Sequence, residues 1–122
     1  MKEKAFTLKT RIDSFRYAFH GLSVLVFKEY NTRIHLIIML LVITMGFIYG
    51  INATEWLFLV LVIGFVLAAE AFNSAIEHLA DYTAPEFHNM IKRTKDLSAA
   101  AVLIAAIAAS IVGFIIFYPK IF

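Results

Sequence analysis

The sequence predicts an all-α integral membrane protein: an N-terminal amphipathic surface helix followed by three transmembrane helices. Three observations carry this. Of the 122 residues, 61% are hydrophobic and only 16% are charged, more apolar surface than a water-soluble domain of this size can bury. The apolar residues fall into three long runs separated by short polar stretches. The basic residues are distributed unevenly between those stretches. The length suits one domain, residues 1–122. There is no cysteine, which excludes disulfides, thiolate metal sites and a Cys nucleophile. The formal net charge is only +2, and no nucleic-acid partner is expected. Nor is a cleavable signal peptide, since the first long apolar run begins only near Ile34.

Residues 1–5 are expected to fray. From Phe6 to Tyr30, Ile12, Phe15, Phe19, Leu22 and Val26 recur at three- and four-residue steps, the spacing of one helical face. Arg11, Asp13, Arg16, Lys28 and Glu29 break up the rest. Such a helix (6–30) is expected to lie on the membrane rather than cross it. Residues 34–51 are almost wholly apolar and just long enough to span. Asn52-Ala53-Thr54 is expected to turn, with Thr54 as the N-cap of the next helix and Glu55 in its first turn. The second span, 55–81, exceeds a hydrocarbon core of about 30 Å, so its polar end should emerge into the interface. Pro85 stops that helix and opens a polar loop, 82–96. The third span, 97–118, carries Ala101, Ala105, Ala109 and Gly113 every four residues, a stripe that lets helices approach closely. Gly46 and Gly50 form a GxxxG, expected to serve helix packing. Tyr49, Trp56 and Tyr118 sit at span ends, as interfacial anchors do.

Lys and Arg orient the bundle. Seven of the eleven (Lys2, Lys4, Lys9, Arg11, Arg16, Lys28, Arg33) precede or open the first span. None lies in the 52–55 turn, three (Lys92, Arg93, Lys95) lie in the 82–96 loop, and Lys120 follows the third span. The positive-inside rule then places the N-terminus and the polar loop in the cytoplasm.

The functional signal is Glu70-Ala-Phe-Asn-Ser-Ala-Ile-Glu-His-Leu-Ala-Asp81, which continues the second span without a Gly or Pro. At about 100° per residue, Glu70, Asn73, Ser74, Glu77 and Asp81 share one face. Ionisable residues in a membrane helix are functional candidates. Carboxylates suit a hard ion such as Mg²⁺, with Glu77 one candidate ligand and Glu29 its partner. No HExxH, P-loop, dinucleotide fingerprint or nucleophile elbow occurs. The plainer alternatives are specific. Asn73 and Ser74 could be hydrogen-bonding glue between helices, and Glu70 a structural acid. Asp81 is expected to cap the helix or pair with the loop's Lys and Arg residues rather than bind metal. His35 is expected to be an interfacial hydrogen-bonding residue, and His78 to face away from the carboxylates. A reading from a different class is a small oligomeric proton-coupled transporter with Glu70 as its proton carrier.

The Glu70–Asp81 string, followed by Glu86-Phe-His88 and Lys95-Asp96-Leu-Ser-Ala-Ala-Ala-Val, resembles the bacterial membrane diacylglycerol kinase and undecaprenol kinase family. The resemblance extends to Tyr17, Gly21 and Glu29 and covers essentially the whole chain. It implies a homotrimer in the bacterial cytoplasmic (inner) membrane, with active sites shared between subunits on the cytoplasmic side. These would transfer the γ-phosphate of MgATP to a membrane lipid alcohol. On the matching positions Glu70 looks like the general base, and Glu29 and Glu77 like the Mg²⁺ ligands. Tyr17, Glu86, His88, Lys95 and Asp96 look like nucleotide contacts. Asn73, Ser98, Asn31 and Arg33 look like polar groups near the lipid substrate and phosphate. The string Glu29-Tyr-Asn31-Thr-Arg33-Ile-His35 is similar to that of the undecaprenol kinase branch, where the diacylglycerol kinase branch tends to carry an acidic residue at the position of His35. The resemblance therefore implies undecaprenol as acceptor, with diacylglycerol as the alternative.

Overall fold

A computed structural model describes residues 6–122; the expected fraying of 1–5, and with it Lys2 and Lys4, lies outside the described residues. Four helices follow one another: α1 (Leu8–Lys28), α2 (Tyr30–Tyr49), α3 (Ala53–Thr83) and α4 (Asn89–Ile121). Three of them, α2, α3 and α4, are long and apolar enough to cross a membrane. Thr7 caps α1 through a reciprocal bond with Thr10. The apolar positions Ile12, Phe15, Phe19 and Leu22 are exposed on the single chain, and Leu25 is the buried residue of α1. Glu29, in extended backbone, ends α1 and begins α2 at once.

The turn between α2 and α3 differs from the expectation in its details. Gly50 ends α2 in the left-handed conformation (φ 60°), which glycine adopts without a Cβ penalty. The N-cap of α3 is Asn52, not Thr54. Asn52 Oδ1 accepts from the Glu55 amide at 2.9 Å, and Glu55 Oε1 accepts from the Asn52 amide at 3.0 Å. Thr54 has no acid three residues on to complete such a box.

Of the GxxxG pair, then, Gly50 serves as a cap and only Gly46 serves packing. A Cβ at Gly46 would lie 2.7 Å from Trp56 Cη2. The Trp56 ring also packs against Phe47, with centroids 4.9 Å apart. Gly46→Ala is therefore expected to destabilise the protein by about 1–3 kcal/mol through overpacking, read as a lower thermal midpoint in detergent. Adding Trp56→Leu should recover most of the loss.

Helices α3 and α4 form an antiparallel hairpin. Asp81 of α3 meets Lys95, Asn73 meets Ser98, and Glu55 meets Lys120 at 3.0 Å. Ala105, from the small-residue stripe of α4, is 1% exposed. The core cluster of Ile51, Leu59, Ile116 and Phe117 lies at the turn end, away from the carboxylates.

The polar loop is shorter than expected. α3 continues to Thr83 and α4 starts at Asn89, so five residues, 84–88, join them rather than 82–96. His88 caps α4, its Nδ1 accepting from the Met90 amide at 3.1 Å. Lys92 and Asp96, one turn apart, pair at 2.6 Å. These local bonds extend the helix well before the apolar run at Leu97 begins. At its other end α4 runs past 118, through Pro119, to Ile121. At 1.5 Å per residue α3 and α4 each exceed a hydrocarbon core of about 30 Å, so their polar ends can stand clear of it.

Candidate active site

The polar ends of α3 and α4 build the site from three levels. The deepest is Glu70, only 2% exposed. Its Oε1 lies 3.0 Å from Nε2 of His35 on α2. Both line a cavity of about 350 Å³ with Asn31, Ile34, Asn73 and the α4 residues Ala99, Val102, Leu103 and Ala106. One turn toward the loop, Ser98 Oγ lies 2.7 Å from Asn73 Oδ1 and 2.9 Å from the Lys95 carbonyl. Asn73 thus ties α3 to α4, the interhelical role expected of a membrane amide. At the outermost level Lys95 Nζ donates to Asp81 Oδ1 and sits 3.5 Å from Glu77 Oε2. Asp81 is a lysine partner, as expected. Glu70 and Glu77 are seven residues apart, about 10 Å along the helix.

An apolar groove of about 380 Å³ runs from this cavity toward the turn end, between α2, α3 and α4. His35 and Ala106 line both spaces. The groove continues past Met39, Val42, Met45, Ile63 and Gly113 to Phe117.

The remaining candidates are distributed around this axis. Glu29 Oε1 lies 2.9 Å from His78 Nε2, so the acid at the α1–α2 junction is held one residue from Glu77. His78, expected to face away from the Glu70–Glu77 face of its helix, faces α1, where it pairs with Glu29. Ser74 lines a cavity of about 540 Å³ between α1 and α3, which Glu29 and His78 also line. Arg33 donates to the Phe27 carbonyl. Tyr17 is exposed on α1. Among the described residues no hydrogen bond or ion pair joins Glu86 or His88 to Glu77 or Lys95, and no three His, Asp or Glu side chains are grouped to hold a metal.

A bundle with a buried acid, a lysine–carboxylate knot toward the loop and an apolar groove toward the turn end suits chemistry on an amphiphile. Residues 16–117 match the prokaryotic diacylglycerol kinase family. The chain belongs to that family. It is 33% identical over 108 residues to the undecaprenol kinase of Bacillus subtilis, covering 88% of each chain. It is 38% identical over 109 residues to the diacylglycerol kinase of Synechocystis, covering 88% of this chain and 62% of that one. With the diacylglycerol kinase of Escherichia coli K12 the identity is 33% over 95 residues, 78% of each chain. Membership makes the protein a lipid kinase of the membrane, using ATP and a lipid substrate.

Two contacts in this kinase were not legible as sequence motifs: His35 with Glu70, and His78 with Glu29. Each joins residues 35 or more positions apart, on different elements of the chain, so no local spacing announces them. The one available signal was residue type, two histidines in a chain with few polar residues in its helices.

Proposed function

We propose that this kinase transfers the γ-phosphate of MgATP to the hydroxyl of undecaprenol, giving undecaprenyl phosphate. The observation that carries this reading is the buried Glu70 at the junction of a cavity lined in part by polar side chains and an apolar groove. A lipid alcohol has the same division. Its hydroxyl fits beside Glu70, and the first few isoprene units of its chain fit along the groove, about 15 Å long on the α2 residues 35–45. The Glu29–His35 string and the Bacillus relative, named an undecaprenol kinase, support the same acceptor.

Glu70 acts as general base. It takes the hydroxyl proton as the alcohol oxygen attacks the γ-phosphorus, and ADP leaves. Phosphoryl transfer requires mainly positioning and neutralisation of charge, so a lysine and a metal can serve without a P-loop. Lys95, held between Asp81 and Glu77, presents a fixed positive charge to the phosphates. Glu29 and Glu77 would hold Mg²⁺, which when bound neutralises phosphate charge. Two carboxylates fit that ion, which commonly takes one or two together with phosphate oxygens. The Glu29–His78 contact supports the assignment by holding Glu29 beside the turn that carries Glu77. Tyr17, Glu86, His88 and Asp96 are assigned to the nucleotide, and Asn31, Arg33, Asn73 and Ser98 to the lipid and phosphate side.

The same reading places α1 on the cytoplasmic face of the inner membrane and assembles three chains around shared sites. Glu86 and His88 make no hydrogen bond or ion pair to Glu77 among the described residues, and in this reading a neighbouring subunit completes the site.

The test is competition. Undecaprenol and diacylglycerol are offered together in mixed micelles with labelled ATP and Mg²⁺. Label is expected mainly in undecaprenyl phosphate, with the ratio of kcat/KM values favouring the prenol. A ratio favouring diacylglycerol would transfer the assignment to the other branch.

A further inference from the structure

Glu70 is almost fully buried, and a buried carboxylate needs a hydrogen-bond donor to hold its charge. Only one side chain supplies it among the described residues: His35 Nε2, 3.0 Å from Oε1. The nitrogen that faces a carboxylate oxygen is the one that carries the proton, because the carboxylate can only accept. Oε2 makes no hydrogen bond among the described residues and is left for the cavity that both residues line. Of that cavity's lining residues only His35 and Glu70 carry ionisable side chains. The other charged groups around it are engaged elsewhere: Glu29 with His78, and Lys95 with Asp81 and Glu77. Arg33, two residues from His35, donates to the Phe27 carbonyl.

We propose that His35 is a positioning residue for phosphoryl transfer: its Nε2–H anchors Oε1 of Glu70 and turns Oε2 to the lipid hydroxyl as the atom that takes the proton. The inference rests on Glu70 being the base. In the reaction the hydroxyl O–H bond breaks, the proton passes to Oε2, and the Nε2–H···Oε1 bond persists throughout. His35 itself neither gains nor loses a proton.

A double-mutant cycle tests this. His35→Ala is expected to lower kcat by about 10- to 100-fold, the scale of one hydrogen bond to a charged group. The KM for ATP should stay within about threefold, because the anchor acts on the base and not on nucleotide binding. His35→Gln, whose amide nitrogen reaches about as far as Nε2, should retain activity to within about fivefold. His35→Asn, one bond shorter, should resemble His35→Ala and keeps the test open if the alanine variant fails to fold. In a Glu70→Gln background, removing His35 should cost nothing further, since two residues that act as a unit are not additive. A full-rate His35→Ala enzyme, a glutamine variant no better than the asparagine one, or the same loss in both backgrounds would each overturn the role of His35. Normal turnover by Glu70→Gln alone would instead remove the base itself, and with it the reading on which this role depends.

Discussion

Glu70→Gln is expected to lower turnover by about 10²–10⁴-fold, the contribution typical of a positioned general base. The KM for ATP should remain within about twofold, because the groups proposed to bind the nucleotide lie about two turns away around Glu77 and Lys95. The substitution is nearly isosteric. The glutamine carbonyl oxygen can still accept from His35 Nε2, so the buried contact and the packing survive. What disappears is a basic oxygen facing the cavity. Steady-state kinetics in mixed micelles, alongside thermal unfolding of the same preparation, separates loss of chemistry from loss of fold. A variant with wild-type turnover would take Glu70 out of the mechanism.

Glu77→Gln is expected to act on the metal instead. Removing one of two carboxylates should raise the Mg²⁺ concentration for half-maximal activity by about ten- to a hundredfold. At saturating Mg²⁺ much of the turnover should return. Lys95 keeps its place, because Asp81 still accepts from it. Asp81→Asn provides the contrast, since Asp81 serves as a lysine partner: its Mg²⁺ titration should match the wild type. The measurement is activity against free Mg²⁺ at fixed ATP. A Glu77→Gln titration that superimposes on the wild type would exclude the metal role.

Hydropathy and periodicity announced three membrane-length helices and a polar terminus on the second, because both follow from residue type along a single helix. Pairing was legible only where chemistry left little choice, as for Asp81 with a nearby basic residue. The start of α4 was missed because Asn89-Met-Ile-Lys-Arg-Thr-Lys95 is hydrophilic. Hydropathy reports where a helix can enter lipid, whereas the His88 cap and the Lys92–Asp96 pair decide where it begins. The cap of α3 did carry a signal. Asn52 stands three residues before Glu55, and that reciprocal pair outcompetes Thr54. Glu70 itself announced only that it mattered. A proton carrier in a transporter would look the same on one helix, and family membership, not the carboxylate alone, sets that alternative aside. Its partner His35 emerges only when α2 is packed against α3.

The measurement that tests the central claim most directly is transfer of label from γ-labelled ATP into extractable lipid. The intact protein in mixed micelles receives Mg²⁺ and undecaprenol, with the Glu70→Gln protein run beside it. The expected result is labelled undecaprenyl phosphate from the wild type, and a signal lower by two orders of magnitude or more from the variant. Label released only as inorganic phosphate, or equal labelled lipid from both proteins, would contradict a kinase whose chemistry turns on Glu70.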